Sequence, residues 1–164
     1  MPDSAKDTAQ PGVRGRAEVV AVCISPGGVP KLPVDQAEVV NEGLVGDGHE
    51  HEKHCRPHRA VTIQDLELLE ELKAEGFLVG PGVLGENVTV RGLNVQGLSP
   101  GDRLRFDNGP LLELTEPRTP CFVLDKIDPM LQKAVVGRCG FLARVVRAGR
   151  LAPGQDIRVE ASAK

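Results

Sequence analysis

The sequence predicts a single, mainly β domain, in which short strands form a barrel or sandwich that carries one or two helices. Nineteen glycines and thirteen prolines in 164 residues separate short runs of apolar and β-branched residues, a pattern typical of β-rich domains with tight turns. Only one longer segment has helical spacing. Because the chain has four Phe and neither Trp nor Tyr, we expect a core of Val and Leu.

The N-terminal segment divides into a lead-in and the first strands of the domain. Residues 1–15 are polar and aperiodic, so we expect a disordered lead-in followed by one domain at 16–160. The β-branched run Arg16–Ile24 predicts a buried strand, and Ala37–Asn41 predicts a second, shorter one. A glycine-rich turn follows at 43–48.

The segment Thr62–Gly76 contains the clear helix, which we place at about 64–75. Its leucines recur at helical spacing, at Leu66, Leu69 and Leu72. Gly76 is suited to end the helix, because glycine readily adopts the left-handed conformation found there. A second, short helix is expected at Leu131–Val136.

Strand-like runs dominate the rest of the chain, with glycine and proline in nearly all the gaps between them. These runs are Asn87–Arg91, Arg103–Phe106, Leu111–Thr115, Cys121–Leu124, Phe141–Arg147 and Asp156–Glu160.

Composition argues against several classes of function. The net charge of −3 without a basic block argues against duplex nucleic acid as a partner, and the lack of aromatic residues argues against single strands. No apolar run has the length of a membrane span and the N-terminus lacks a signal-peptide core, so we expect a cytoplasmic protein without a membrane partner. In a reducing compartment the four widely spaced cysteines should be free thiols or metal ligands.

Cys121 stands at the end of the run Leu114–Cys121, which contains two prolines. Proline ends a strand because it fixes φ and lacks a donor, so the run is suited to present a thiol at the rim of a β-structure. Arg118 and Lys126 are close in sequence and supply the positive charge that favours a thiolate. Base rates alone favour a small buried residue at this position.

All four histidines fall in one short segment beside an aspartate and a cysteine. The cluster comprises Asp47, His49, His51, His54, Cys55 and His58. Three interpretations remain open: the wall of a pocket that moves protons or binds an anion, a metal site, or a solvated polar loop. The irregular spacing matches no well-defined zinc pattern.

The order of the short motifs is more specific than any one of them. The succession is GLVGDGH (43–49), RAVT (59–62), GEN (85–87), LSPGDRL (98–104), PRTPC (117–121), GFLARVV (140–146) and GRLAPGQDI (149–157). From about Arg16 to Glu160 it resembles the MOSC domain, the C-terminal domain of molybdenum cofactor sulfurases. The extra residues His51, His54, Cys55 and His58 have no assignment in that pattern.

The resemblance implies a barrel-like β fold that binds the molybdenum cofactor, a pterin with a dithiolene-bound metal and a phosphate. It implies that Cys121 either coordinates molybdenum or carries sulfur as a persulfide. We therefore expect the terminal component of a molybdenum enzyme that reduces small N-oxygenated substrates. The alternative is a sulfur carrier that delivers persulfide sulfur from Cys121.

The resemblance also suggests roles for individual residues. Cys121 is the expected metal ligand, and His49 and Asp47 join it as catalytic residues. Lys31 and Arg59 would balance the negative charges of the cofactor, and Glu86 and Asn87 would contact it. Arg118 is added to the cofactor-binding set because of its proximity to Cys121.

The chain has no room for a pyridoxal-phosphate desulfurase domain or for a reductase module. We therefore expect it to need a reductase or a cysteine desulfurase as partner, besides its small-molecule substrate.

Overall fold

The computed structural model describes residues 16–27, 29–48 and 59–162. Within these ranges the chain forms eleven strands and two α-helices. The strands are β1 (Glu18–Ile24), β2 (Leu32–Val34), β3 (Ala37–Val40), β4 (Gly43–Leu44), β5 (Val61–Asp65), β6 (Val88–Arg91), β7 (Arg103–Phe106), β8 (Leu111–Pro117), β9 (Phe141–Arg147), β10 (Gly149–Leu151) and β11 (Ile157–Glu160). The α-helices are α1 (Leu66–Ala74) and α2 (Leu131–Ala134), and 3-10 helices occupy Val95–Gly97 and Phe122–Lys126.

The strands form one large sheet and one small one. The large sheet has eight strands in the order β11-β7-β8-β9-β5-β6-β1-β2, and the small sheet has the order β10-β3-β4. Neighbouring strands are antiparallel except for β5 and β6, which are parallel and joined through α1. The prediction of a mainly β fold with one clear helix and a second short one is confirmed.

The large sheet curls until β1 meets the start of β11. Glu18 and Asp156 form an isolated bridge, supported by hydrogen bonds from Val19 N to Gln155 O (2.9 Å) and from Ile157 N to Ala17 O (3.0 Å). No continuous ladder closes the described strands, so the sheet is barrel-like but open.

Two apolar cores hold the fold together. The first contains residues of both sheets, with fully or nearly fully buried side chains, among them Val22, Ile63, Val88, Leu104, Phe106, Leu112 and Phe141. The second packs α1 against segment 79–84 and against segment 124–139, which follows Cys121. Its members include Leu69, Leu72, Leu84, Leu124, Leu131 and Cys139. Val and Leu dominate both cores, as the composition predicts. The second core anchors the 3-10 helix that follows Cys121, because Leu124 is completely buried in it.

The helix begins later than the leucine pattern suggests. Thr62–Asp65 belongs to strand β5, which pairs with β6 and β9, and α1 starts at Leu66. Asp65 ends the strand in extended conformation, and its carboxylate accepts hydrogen bonds from Val95 N (2.7 Å) and Gln96 N (3.0 Å). Strand pairing on both sides therefore overrides the helical pattern in this segment.

The strand predicted at Cys121–Leu124 is wrong. The ladder between β8 and β9 ends at the pair Pro117–Phe141, and the chain then forms the 3-10 helix Phe122–Lys126. Two prolines interrupt pairing before Cys121, and a 3-10 helix buries Leu124 without a partner strand. The short strands β2, β4 and β10 had no clear pattern in the sequence.

Two further predictions concern the N-terminus and the membrane. The lead-in at 1–15 lies outside the described residues. None of the helices in the described part of the chain is long and apolar enough to cross a bilayer.

Candidate functional site

A cavity of about 610 Å³ opens beside the ends of β5 and β8. Its polar lining includes Lys31, Asp47, Arg59, Thr62, Asn87, Arg118 and Gln132, and its apolar lining includes Val29, Ala60, Pro120, Phe122, Val123 and Leu142. Cys121 lies between two of the apolar residues. The fold thus brings together residues that are far apart in the chain, from Val29 to Leu142.

A buried ion pair forms one wall of this cavity. Lys31 Nζ lies 2.7 Å from Asp47 Oδ1 and 2.9 Å from Oδ2, and the two side chains are only 12% and 3% exposed. Ser25 N also donates a hydrogen bond to Asp47 Oδ1 (3.0 Å). The ammonium group is therefore fixed in place, with part of its surface available to the cavity.

Asn87 connects this ion pair to the large sheet. Its Nδ2 donates to Asp47 Oδ2 (3.0 Å) and to the carbonyl oxygen of Cys23 (3.2 Å), and its Oδ1 accepts from Thr62 N (3.1 Å). Thr62 Oγ1 accepts from Asn87 N at 3.0 Å. These contacts favour a positioning role for Asp47, whose carboxylate already receives several donors. The assignment of Asp47 as a catalytic residue stays a prediction.

Arg59 supplies a second positive charge at the cavity. It is exposed, it lies just before β5, and within the described residues its guanidinium has no ion-pair partner. No described carboxylate therefore competes with an anionic ligand for this charge. Gly48 also lines the cavity, but the neighbouring His49 lies outside the described residues, so its predicted role stays a prediction.

Arg118 reaches from the end of β8 into the cavity wall. Its backbone N–H donates to Gly140 O (2.9 Å), and its Nη2 donates to Leu84 O (2.6 Å). Within the described residues its Nη1 is buried without a hydrogen-bond partner. Gly85 makes this path possible, since it has φ +94° and a Cβ there would lie 3.1 Å from Nη2.

The structure does not place Glu86 with the other predicted site residues. Its side chain is fully buried behind the cavity wall, where Oε2 accepts from Gly82 N (2.8 Å) and Thr89 Oγ1 (2.9 Å). Burial raises the pKa of Glu86, whereas these hydrogen bonds and the charge of Arg118 lower it; burial has the larger effect. Its Oε1 has no partner among the described residues.

Cys121 is the accessible thiol among the described cysteines. It is partly exposed and caps the 3-10 helix, where its carbonyl accepts from Leu124 N (3.0 Å). The other two are buried: burial raises the pKa of Cys23 to about 11, and it also raises the pKa of Cys139. All three are free, as their spacing predicts. Among the described cysteines, Cys121 is therefore the candidate nucleophile or soft metal ligand of this cavity.

The histidine-rich segment remains untested. Its predicted residues His49, His51, His54, Cys55 and His58 lie outside the described residues. Among the described residues, no three His, Cys, Asp or Glu side chains come together as a metal site. The three interpretations of this segment therefore stay open.

Sequence reasoning missed several residues of the cavity. Thr62 belongs to the RAVT motif, but only the strand assignment turns its hydroxyl toward Asn87. Phe122 follows Cys121 directly, yet the predicted strand gave no reason to expect its exposure. Gln132 lies on α2 and has no local signal in the sequence.

Comparison with known proteins identifies relatives over most of this chain. The MOSC domain model matches residues 50–158. The uncharacterized protein YflK of Bacillus subtilis is 31% identical over 141 residues, which cover 80% of this chain and 62% of YflK. A protein of Gibberella moniliformis named as a reductase is 30% identical over 123 residues, 70% of this chain but only 22% of that protein.

Solved structures show the same fold. The YUAD protein of Bacillus subtilis superimposes with a TM-score of 0.76 at 20% identity, covering 90% of this chain and 97% of that one. YiiM of Geobacillus stearothermophilus gives a TM-score of 0.73 at 24% identity, covering 88% and 75%. The sequence match over residues 50–158 spans more than half of the chain, so this protein belongs to the MOSC domain family.

Proposed function

We propose that this protein binds the molybdenum cofactor in the cavity and acts as the terminal component of an enzyme that reduces small N-oxygenated substrates. The observation that carries the proposal is that the accessible Cys121 thiol shares one cavity with Lys31, Arg59 and Arg118. MOSC domains are associated with molybdenum cofactor binding. One relative is named as a reductase, although this chain spans 22% of it, so its activity is transferred here only as part of the proposal.

The charges of the cavity fit an anionic ligand. The cofactor carries a phosphate and a dithiolene, and the Arg59 guanidinium is suited to a bidentate phosphate contact. Lys31 would add a fixed positive charge, because Asp47 and its hydrogen-bond partners prevent the ammonium from moving away. The volume of about 610 Å³ lies in the range of small-molecule sites.

Cys121 fits the role of metal ligand. Thiolate sulfur is a soft ligand suited to such a metal, and Cys121 meets the cavity without a competing disulfide. When bound, the cofactor supplies the redox centre that exchanges electrons with the substrate. The protein supplies the thiol, the positive charges and an apolar surface beside Cys121.

Turnover with an artificial electron donor tests this proposal. The full chain, produced in cells that make the cofactor, should reduce a small N-hydroxylated compound when reduced viologen replaces the partner reductase. Cys121→Ala should abolish this reduction, whereas Cys23→Ala should retain it, because Cys23 does not line the cavity. Equal rates in the wild type and Cys121→Ala would contradict the proposal.

The sulfur-carrier alternative stays a prediction and has its own experiment. Incubation with a cysteine desulfurase and cysteine should add the mass of one sulfur atom to the peptide that contains Cys121. Mass spectrometry that finds no added sulfur on this peptide would exclude the alternative.

A further inference from the structure

We infer that Phe122 selects substrates with a flat, apolar body beside Cys121. The inference deepens the proposed function and rests on it in one respect, that the molecule lying over Cys121 is the substrate. Phe122 would be a specificity-determining residue, and the observation behind this role is the unusual exposure of its aromatic ring.

Phe122 differs from the buried phenylalanines of this chain. Phe106 and Phe141 are each 1% exposed in the first core, whereas Phe122 is 74% exposed. Phe77 packs against the second core as a partly buried residue. The sequence contains four Phe and neither Trp nor Tyr, and among the described residues Phe122 is the one that brings an aromatic ring to the cavity lining. Burying such a ring removes a large apolar area from water, which favours a ligand that covers it.

Phe122 lies next to Cys121, whose thiol is the proposed reacting group. Phe122 and Cys121 are adjacent in the chain and line the same cavity. Pro120, Val123 and Leu142 extend the apolar surface around them, whereas Lys31 and Arg59 belong to the polar lining. A small molecule that fills the space next to Cys121 therefore meets an apolar surface that includes the ring.

The backbone beneath the ring is well anchored. Leu124 is fully buried in the second core, and the 3-10 helix is closed by bonds from Leu124 N to Cys121 O (3.0 Å) and from Ile127 N to Leu124 O (2.9 Å). The backbone that carries the ring therefore needs little reordering when a ligand arrives. Aromatic rings favour offset-stacked or edge-to-face contact with other rings, so a flat aromatic body gains more from Phe122 than an aliphatic one does.

Alkylation of Cys121 tests this selectivity without cofactor or turnover. The full chain is produced in cells that lack the cofactor and is treated with N-phenyl iodoacetamide or with N-methyl iodoacetamide. The rate at the Cys121 peptide is measured by mass spectrometry, and the ratio of the two rates is divided by the same ratio for glutathione. The wild type should prefer the phenyl reagent by roughly 2- to 12-fold, as expected for an aromatic pair.

Two variants and a matched control complete the experiment. Phe122→Ala should bring the normalised ratio close to that of glutathione, and Phe122→Leu, which keeps an apolar side chain without the ring, should lose most of the preference. Leu78→Ala should retain the wild-type ratio, because Leu78 is also exposed (89%) but does not line the cavity.

The outcomes separate this inference from the proposed function. A wild-type ratio equal to that of glutathione, or an unchanged ratio in Phe122→Ala, would overturn the selectivity. A clear preference in a protein that never acquires molybdenum would support the selectivity of Phe122 and contradict the proposed function. Because Phe122 is mostly exposed, its substitution should leave folding intact, and an unchanged thermal unfolding midpoint would verify this.

Discussion

The two walls of the cavity are built in different ways. In the polar wall, Asp47 is almost fully buried, and hydrogen bonds from Lys31, Ser25 and Asn87 hold its carboxylate. In the thiol wall, Cys121 is partly exposed and Phe122 is largely exposed. The difference indicates that the polar wall is organised before any ligand binds, whereas the thiol wall presents groups for a ligand to contact.

Burying the Lys31–Asp47 ion pair in the polar wall costs free energy, which the surrounding hydrogen bonds offset. Removing two charges from water is unfavourable, and an ion pair compensates only when further hydrogen bonds satisfy both groups. Asn87 provides such a bond and is itself held by Thr62 and by the carbonyl of Cys23. Substitutions in this wall should therefore change stability, and substitutions in the thiol wall should change function.

The largest effect should follow from breaking the ion pair. Asp47→Ala leaves the Lys31 ammonium without its partner, so the free energy of unfolding should fall by about 3–5 kcal/mol. Urea denaturation measures this loss. In the double variant Lys31→Met, Asp47→Ala the unpaired charge is gone, so part of the stability should return. A loss below about 1 kcal/mol in the single variant would indicate that the pair behaves as a surface salt bridge.

Substitution of Cys121 should change activity strongly and stability little. Cys121→Ser should reduce the proposed reductase activity by at least about 100-fold, because removal of a ligand exceeds the 10- to 100-fold loss typical of outer-shell changes. Its free energy of unfolding should stay within about 0.5 kcal/mol of the wild type, since Cys121 is partly exposed. Steady-state rates and urea denaturation measure the two quantities. A variant that loses both stability and activity would contradict the proposed difference between the polar wall and the thiol wall.

Glu86 lies behind the cavity wall and should make stability depend on pH. Burial raises its pKa in the folded protein, so above the ordinary value of about 4.3 the folded state holds a proton that the unfolded state has lost. The free energy of unfolding should therefore fall as the pH rises from about 4.3 toward the raised pKa of Glu86. Glu86→Gln cannot ionise and should reduce the slope by up to about 1.4 kcal/mol per pH unit.

Denaturation curves at several pH values measure that slope. Asp65, whose pKa burial also raises, contributes equally in both proteins. Glu116→Gln is the matched control, because it removes an exposed carboxylate and leaves Glu86 in place. An identical slope in Glu86→Gln and the wild type would show that Glu86 does not titrate in this window.

The smallest effect should come from the hydroxyl of Thr62. Thr62→Val removes one of the two acceptors of Asn87 N and leaves the other, the Thr62 carbonyl at 3.0 Å, so the free energy of unfolding should fall by about 1 kcal/mol at most. Thr62→Ser keeps the hydroxyl and should lose less. If both variants lose the same stability, the hydroxyl does not support the polar wall.

The sequence predicts the fold more completely than its helix boundaries. The β-branched runs at β1 and β9 are long and apolar enough to identify as strands. The helix predicted at about 64–75 is confirmed as α1, and only its first residues differ, because Gln64 and Asp65 are held in β5 by pairing with β6. Cys121–Leu124 is too short for its pattern to distinguish a strand from a 3-10 turn.

Six of the predicted site residues line the cavity, but the sequence does not predict how they are arranged there: Lys31, Asp47, Arg59, Asn87, Arg118 and Cys121. Glu86 and Asn87 are neighbours in one motif, and both were expected to contact the cofactor. The bend before β6 separates the two side chains: Asn87 meets the cavity, whereas Glu86 is buried and bonded to Gly82 N and Thr89 Oγ1. The contact between Asn87 and Asp47 joins residues that are 40 positions apart, which no local pattern reveals.

The molybdenum and pterin content of the purified protein tests the central claim most directly. Full chain from cells that make the cofactor should carry both in stoichiometric amounts, Cys23→Ala should retain them, and Cys121→Ala should lose most of its molybdenum. A wild-type protein with neither molybdenum nor pterin, or a Cys121→Ala variant with undiminished molybdenum, would contradict the assignment of Cys121 as a metal ligand.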